Sequence, residues 1–163
     1  MCDARIVTVE IRIEAYDSAT ALPLIAEVQA EYVRRYGESD ATPVDPAEFT
    51  PPDGLFLIAY LDGTPVATGG WRVNGPDAEI KRMYVAPAAR GRGLARRILA
   101  ELETTAAAAG LGRMILETGS KQPEAITLYR SAGYTRIDGF GHYRDEPDSR
   151  CFGKLLNAHA PSH

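Results

Sequence analysis

The amino-acid sequence predicts an α/β (α+β) fold, with one mixed, mostly antiparallel sheet of six or seven strands and helices on both faces. Seven short segments carry the apolar patterns of strands, and three longer segments repeat apolar residues at helical spacing. Their order is β-α-β-β-β-α-β-α-β-β, so an antiparallel meander precedes the central helix. The 163 residues contain no linker-like segment and suffice for one domain with a sizeable core.

The first strand and the first helix follow from clear periodicities. Residues 6–14 alternate apolar and polar side chains, which predicts a half-buried strand. Residues 22–36 place apolar side chains on one face of a helix. Asp17 and Ser18 are suitable N-caps for this helix, and Gly37 is a suitable residue to end it.

A long polar segment, residues 38–54, follows the first helix. Its four prolines and five acidic residues predict a loop, with one helical turn at 46–49. Loops of this length inside compact domains usually either serve a function or lack order.

An antiparallel meander is predicted next. Residues 55–61 and 66–73 are strand segments joined by the turn sequence DGTP. The glycine pair at 69 and 70 indicates a bulge or the close approach of another group. Residues 78–85 form the third strand, and Pro87 prevents its extension because proline lacks a backbone N–H.

The second half of the chain alternates helices with strands. A helix with an apolar stripe extends to about Ala109, where glycines follow. The remaining predicted elements are a strand, a helix and two further strands, at residues 113–118, 123–133, 134–137 and 149–156.

Composition and charge argue against several classes of protein. The formal net charge of −4 disfavours a general nucleic-acid binder, because such domains are usually basic. No apolar run approaches the ~20 residues of a membrane-spanning helix, so no membrane partner is expected. The N-terminal residues do not resemble a signal peptide, and Cys2 and Cys151 are not expected to form a structural disulfide. We therefore expect an intracellular, cytoplasmic protein.

The stretch RGRGLARR, residues 90–97, opens the central helix on glycines and surrounds that end with arginines; we call it the glycine loop. A helix N-terminus presents unpaired N–H groups and a partial positive charge. Glycines let an anion approach the backbone, and arginines add charged hydrogen bonds to phosphate oxygens. The glycine loop therefore predicts a phosphate-binding site; a surface helix with solvated arginines is the alternative.

Other phosphate-binding patterns fit less well. A Walker loop needs a lysine followed by Ser or Thr, and both are missing from this stretch. A dinucleotide fingerprint needs a third glycine, where this sequence has Arg96. Nucleic-acid binding by the basic stretch 81–97 is a further alternative that the acidic net charge disfavours.

Two motifs together resemble the GCN5-related N-acetyltransferase (GNAT) superfamily. Arg90, Gly93 and Ala95 fill its acetyl-CoA signature, Q/R-x-x-G-x-G/A. The segment QPEAITLYRSAGY, residues 122–134, resembles the later helix of the family with its tyrosine and the following glycine–aromatic pair. The resemblance covers roughly residues 55–137 and implies the GNAT fold.

With the size of the chain, the resemblance predicts a single N-acetyltransferase domain over residues 1–156, and the C-terminal tail at 157–163 is expected to be loose. Acetyl-CoA would be the co-substrate; no metal is expected, because no His, Cys and Asp cluster has metal-ligand spacing. One strand would pair with the pantetheine arm through its backbone, and the glycine loop would hold the diphosphate. The residues that the resemblance assigns to the coenzyme are Met83, Tyr84, Val85, Arg90, Gly91, Arg92, Gly93, Leu94, Ala95, Arg96 and Gln122, the last replacing an asparagine common in the family.

Acetyl transfer to an amine needs a proton acceptor, because amines are mostly protonated at neutral pH. Glu79 is the candidate base, since it lies eleven positions before Arg90, as in the histone-acetyltransferase branch of the family. A structural ion pair of Glu79 with a neighbouring Lys or Arg is the alternative, with ordered water or Glu117 then accepting the proton. Tyr129 matches the family tyrosine near the coenzyme sulfur and is the candidate acid.

The predicted acceptor is a primary amine of a small molecule or a peptide, which attacks the thioester directly in a ternary complex. The resemblance places the acceptor near residues 30–50 and 138–148, whose acidic side chains suit a cation; solvated loop acids are the alternative. His142 and Tyr143 are lesser candidates for substrate contacts. A non-catalytic acyl-CoA-binding sensor is the alternative function, and a homodimer is one expected assembly.

Overall fold

The computed structural model describes residues 7–156; Cys2 and the predicted tail 157–163 lie outside the described residues. The elements are β1 (Val9–Ile13), α1 (Ala21–Tyr36), β2 (Gly54–Leu61), β3 (Thr64–Asn74), β4 (Asp77–Val85), α2 (Leu94–Ala108), β5 (Arg113–Gly119), α3 (Pro123–Ser131), β6 (Thr135–Arg136) and β7 (Ser149–Leu155). Short 3-10 turns occupy Pro46–Phe49 and Pro87–Ala89. The order of strands and helices is the predicted one.

The seven strands form one mixed sheet in the order β1-β2-β3-β4-β5-β7-β6. Each neighbouring pair is antiparallel except β4 and β5, which are parallel. A parallel pair needs a crossover connection, and α2 supplies it. The predicted fold class, a mixed and mostly antiparallel sheet with helices, is therefore confirmed.

Two apolar clusters lie on opposite faces of this sheet. Strand β2 shows the division, because Leu57 belongs to the cluster that includes α2, whereas Phe56 belongs to the cluster that includes α1. Successive side chains of a strand point to opposite faces. Both residues are almost fully buried, so the sheet is covered by helices on both sides.

Local signals set most element boundaries as predicted. The Ser18 hydroxyl accepts a hydrogen bond from the N–H of Ala21, and Gly37, with a φ of 82°, ends α1. Helix α3 is shorter than the predicted 123–133, because Gly133 has a φ of 96° and turns the chain away. Strand β6 is also shorter than 134–137, since only two of its residues pair with β7.

The predicted irregularity at the glycine pair is a β-bulge between β3 and β4. Thr68 pairs with Tyr84 and Gly70 pairs with Lys81, so two residues of β4 lie opposite Gly69 alone. A Cβ added at Gly69 would lie 2.6 Å from the Met83 sulfur and 2.7 Å from Cγ2 of Ile98 on α2. Glycine is required here because helix and bulge both approach the backbone.

Replacing Gly69 with Ala should lower the free energy of unfolding by about 1–3 kcal/mol, because the new methyl group overpacks the contact with α2. Urea unfolding followed by circular dichroism measures the change. Gly112→Ala is the matched control, since an added Cβ there meets nothing within 4 Å. Equal stabilities of the two variants would contradict the close approach at the bulge.

Candidate active site

A cleft of about 660 Å³ opens where β4 and β5 separate. The two strands pair only from Ala78–Ile80 to Met114–Leu116. Beyond this fork, β4 continues to Val85 and β5 to Gly119, and within the described residues neither strand has a partner on the side that faces the other. The cleft therefore exposes strand backbone that can form hydrogen bonds with a ligand.

The bulge in β4 begins two residues past the last pair of the fork. Arg82 has a left-handed φ of 61°, and its carbonyl accepts a hydrogen bond from the Thr68 hydroxyl at 2.7 Å. A bulge bends its strand and increases the local twist. We attribute the divergence of β4 from β5 to this bend.

The glycine loop lies at one end of the cleft. Gly91 and Gly93 have φ values of 81° and 75°, and a Cβ at either position would meet nothing within 4 Å. Helix α2 begins directly after Gly93 and has no side-chain cap at its N-terminus. Its first N–H groups are therefore left for another acceptor, and the glycines leave the space that such an acceptor needs.

Two of the loop arginines flank this N-terminus, and a third does not. Arg90 donates through Nε to the Val85 carbonyl at 2.9 Å, and Arg96 donates to the Ser131 hydroxyl of α3 at 2.7 Å. Both line the cleft, whereas Arg92 is exposed and is not among the lining residues. The structure thus brings Arg90 and Arg96, but not Arg92, to the cleft.

The other predicted coenzyme residues also reach the cleft. It is lined by Met83, Tyr84, Val85, Gly91, Gly93, Leu94, Ala95 and Gln122. The Gln122 side-chain oxygen accepts hydrogen bonds from the hydroxyls of Tyr36 at 3.3 Å and Thr118 at 3.4 Å. Gln122 therefore joins α1 to the segment between β5 and α3.

Tyr129 of α3 lies in the wall of the cleft. It is 5% exposed, and its ring packs edge to face against Tyr134. Burial, with a smaller contribution from Tyr32, raises the pKa of Tyr129 well above its usual range. The hydroxyl therefore stays protonated at neutral pH, and the raised pKa makes it a weaker acid than a free tyrosine.

The two candidate carboxylates occupy different environments. Glu79 is buried and accepts hydrogen bonds from Arg72 at 3.1 Å and Asn74 at 3.4 Å, and it is not among the residues that line the cleft. Glu117 does line the cleft, as the first residue of β5 beyond the fork. Burial raises the pKa of Glu117 above its usual value. Glu79 as the base stays a prediction, and the structure adds that it has the structural partner Arg72.

Asp40 connects the long loop after α1 to β4 beside the cleft. The sequence analysis did not identify this contact. Its Oδ2 accepts hydrogen bonds from Lys81 at 2.8 Å and from Arg82 at 2.7 Å. Burial alone would raise the pKa of Asp40, but Lys81 and Thr42 outweigh it and hold the pKa well below its usual range. These partners lie about 40 residues away in sequence, and no local pattern connects them.

The loop between β6 and β7 meets the same segment. The Tyr143 hydroxyl accepts a hydrogen bond from the N–H of Ala41 at 2.6 Å, and Tyr143 lines the cleft. His142 packs against the Tyr143 ring but is not among the lining residues. The two predicted acceptor segments, 30–50 and 138–148, therefore contact each other at the cleft.

Both positive and negative side chains line the cleft. Arg90 and Arg96 line it at the glycine loop, and Glu38, Glu146 and Asp148 line it from the loops after α1 and before β7. We call these three exposed carboxylates the acidic rim. An anion is favoured beside the arginines and a cation beside the carboxylates.

No helix among residues 7–156 is long and apolar enough to cross a bilayer. Over the same residues, no group of three or more His, Cys, Asp and Glu side chains is placed to hold a metal ion.

Comparison with known proteins gives a family match and several relatives. The acetyltransferase (GNAT) family matches residues 23–134. The IAA acetyltransferase of Azospirillum brasilense is 42% identical over 107 residues, which cover 64% of this chain and 70% of that protein. An uncharacterized N-acetyltransferase of Escherichia coli, YjgM, is 29% identical over 137 residues, which cover 78% of this chain and 81% of the relative.

Solved structures share the fold. A putative acyl-CoA N-acyltransferase from Klebsiella pneumoniae superposes with a TM-score of 0.77 at 29% identity, covering 91% of this chain and 97% of that one. The paia N-acetyltransferase from Thermoplasma acidophilum, solved in complex with coenzyme A, superposes with a TM-score of 0.70 at 17% identity, covering 91% and 99%. The second likeness is one of fold alone.

Proposed function

The chain belongs to the GNAT family and is an N-acetyltransferase, and from this premise we propose that it transfers an acetyl group from acetyl-CoA to a primary amine of a small molecule or peptide. The observation that carries the proposal is the uncapped N-terminus of α2 behind two open glycines, at one end of a cleft between two unpaired strand edges. Acetyl-CoA supplies the activated thioester. The predicted cytoplasmic setting and the homodimer stay predictions.

Coenzyme binding is proposed to use backbone groups first. The N–H groups from Gly91 to Arg96 would donate hydrogen bonds to the diphosphate, since an uncapped helix start and open glycines suit an anion. Arg90 and Arg96 would add charged hydrogen bonds. The free edge of β4 at Met83–Val85 would pair with the amides of the pantetheine arm, as an added strand does.

Proton transfer is proposed to involve Glu117 and Tyr129, which both line the cleft. Glu117 would take the proton of the acceptor ammonium, and its raised pKa brings its basicity closer to neutral pH. Tyr129 would donate its proton to the departing thiolate. Glu79 is the alternative base, and a base so placed would have to act through water, because Glu79 does not line the cleft.

The acceptor is proposed to enter at the acidic rim. A protonated amine would be attracted to the carboxylates there before it loses its proton. The Azospirillum brasilense relative is named an IAA acetyltransferase, so IAA belongs in the assay beside small-molecule amines and peptide N-termini. The amine would attack the thioester directly in a ternary complex.

Gly93→Asp should weaken acetyl-CoA binding by roughly 100-fold or more, because two like charges about 4 Å apart near a protein surface repel each other by a few kcal/mol. Isothermal calorimetry measures the affinity, and release of the coenzyme thiol with a panel of acceptors measures turnover. Binding without turnover on any acceptor would instead favour an acyl-CoA sensor.

Gly93→Asn is the matched control for this variant. Asparagine has nearly the same shape and the same strain at a φ of 75°, but it lacks the charge. It should retain most of the affinity. Equal affinities of the Asp variant and the wild type would refute the diphosphate site.

Glu117→Gln and Glu79→Gln separate the two candidate bases. If Glu117 is the base, its variant should lose about 10²–10⁴-fold in kcat. The wild type should show an acid limb in kcat/KM above the pH at which a free glutamate ionises, because only the carboxylate accepts a proton and burial raises its pKa. That limb should disappear in Glu117→Gln and persist in Glu79→Gln. The reverse pattern would assign the base to Glu79.

Tyr129→Phe should lower kcat by about 10²–10⁴-fold and change the affinity for coenzyme A by less than about tenfold. Stopped-flow turnover and calorimetry measure the two quantities. Tyr134→Phe is the control, because it removes a hydroxyl that bonds Glu103 at 2.8 Å on a ring 5.7 Å away. Turnover by Tyr129→Phe equal to that of the control would rule out the acid role.

A further inference from the structure

A chain of four charged side chains crosses the cleft beside the glycine loop. Glu31 of α1 accepts hydrogen bonds from Arg90 at 3.0 Å and from Arg35 at 3.3 Å, both through Oε1. Arg35 continues the chain, since it pairs with Glu124 of α3 and donates to the Lys121 carbonyl at 2.7 Å. The chain therefore connects the glycine loop with the first turn of α3.

The Arg90 guanidinium is held on two sides by these contacts. Its Nε donates to the Val85 carbonyl, and its Nη2 donates to Glu31. An arginine has five N–H groups, so three are left for a ligand. The side chain of Arg90 is 45% exposed, whereas that of Glu31 is only 14% exposed. The Glu31 carboxylate is therefore held in place by its surroundings, and the Arg90 guanidinium remains accessible to a ligand.

From this geometry we propose that Glu31 is a positioning residue for coenzyme binding, which orients Arg90 so that its three remaining N–H groups face the diphosphate. The inference rests on the proposed function, because it presupposes a diphosphate at the glycine loop. Glu31 lines the cleft beside Arg90, and in this proposal it acts through Arg90. An arginine held in place loses less side-chain entropy when it binds a phosphate.

Charge and orientation predict opposite results when Glu31 is removed. Glu31 is negative and forms a hydrogen bond with Arg90, the proposed partner of the diphosphate. By Coulomb's law alone, removing Glu31 would therefore tighten the binding of an anion. If Glu31 orients Arg90, its removal releases a flexible side chain and weakens binding. The sign of the change therefore decides between a competitor for Arg90 and a positioning residue.

Glu31→Ala should raise the dissociation constant of acetyl-CoA by roughly 3- to 10-fold, the cost of ordering one long side chain. Calorimetry measures the change, and Glu31→Gln, which keeps an acceptor for Arg90, should restore part of the affinity. Circular dichroism checks that α1 stays folded. Unchanged or tighter binding by Glu31→Ala would overturn the proposal.

A double-mutant cycle tests whether Glu31 acts through Arg90. In an Arg90→Ala background, Glu31→Ala should have no further effect on acetyl-CoA binding. Acetyl-pantetheine, which lacks the diphosphate, should give the same kcat/KM with the wild type and with Glu31→Ala. Additive losses in the cycle, or a loss with acetyl-pantetheine, would overturn the positioning role.

Glu27→Ala is the matched control, because Glu27 lies one helical turn earlier and contacts the Tyr84 hydroxyl at 3.4 Å rather than Arg90. It should bind acetyl-CoA like the wild type. The proposed diphosphate site and the proposed role of Glu31 fail differently. If the single variants Arg90→Ala and Gly93→Asp both bind acetyl-CoA like the wild type, the diphosphate site itself is refuted. A weakened Arg90→Ala with an unaffected Glu31→Ala would refute only the role of Glu31.

Discussion

The separation of β4 from β5 is the constraint on which the rest of the structure depends. The strands pair over three residues and then part, and the bulge at Arg82 bends β4 at that point. Backbone polar groups that lose a strand partner in a folded domain need another partner. The unpaired edges beyond the fork are therefore suited to a ligand, and the cleft follows from the sheet itself.

Charged groups that a ligand could reach line the cleft. The N-terminus of α2 and Arg90 lie at the glycine loop, and the acidic rim lies on the loops after α1 and before β7. The buried charges are compensated within the protein: Asp40 forms ion pairs with Lys81 and Arg82, and Glu79 forms one with Arg72. Pairing of this kind offsets the large cost of burying a charge. Arg90 and Asp148 are also paired, but both side chains are exposed, so their charges remain accessible to a ligand.

Sequence analysis predicted a candidate site best where its residues are adjacent in the chain. The glycine loop could be found because its glycines, its arginines and the helix that follows are adjacent in the chain, and the structure places most of its predicted residues on the cleft. It was weakest for side chains that act through distant partners. Glu79 and Glu117 are both strand carboxylates in sequence, and only the fork shows that Glu117 faces the cleft while Glu79 meets Arg72.

The sequence by itself determined the elements, their order and the open, glycine-rich start of α2, because periodicity, caps and glycine conformations act within a few residues of each other. Only the tertiary structure decided where the strands separate, which carboxylates line the cleft, and that Glu31 holds Arg90. These features depend on contacts between segments roughly 30 to 60 residues apart, such as Arg72 with Pro43 or Arg90 with Glu31. Such contacts arise from packing of the whole sheet, and no local pattern encodes them.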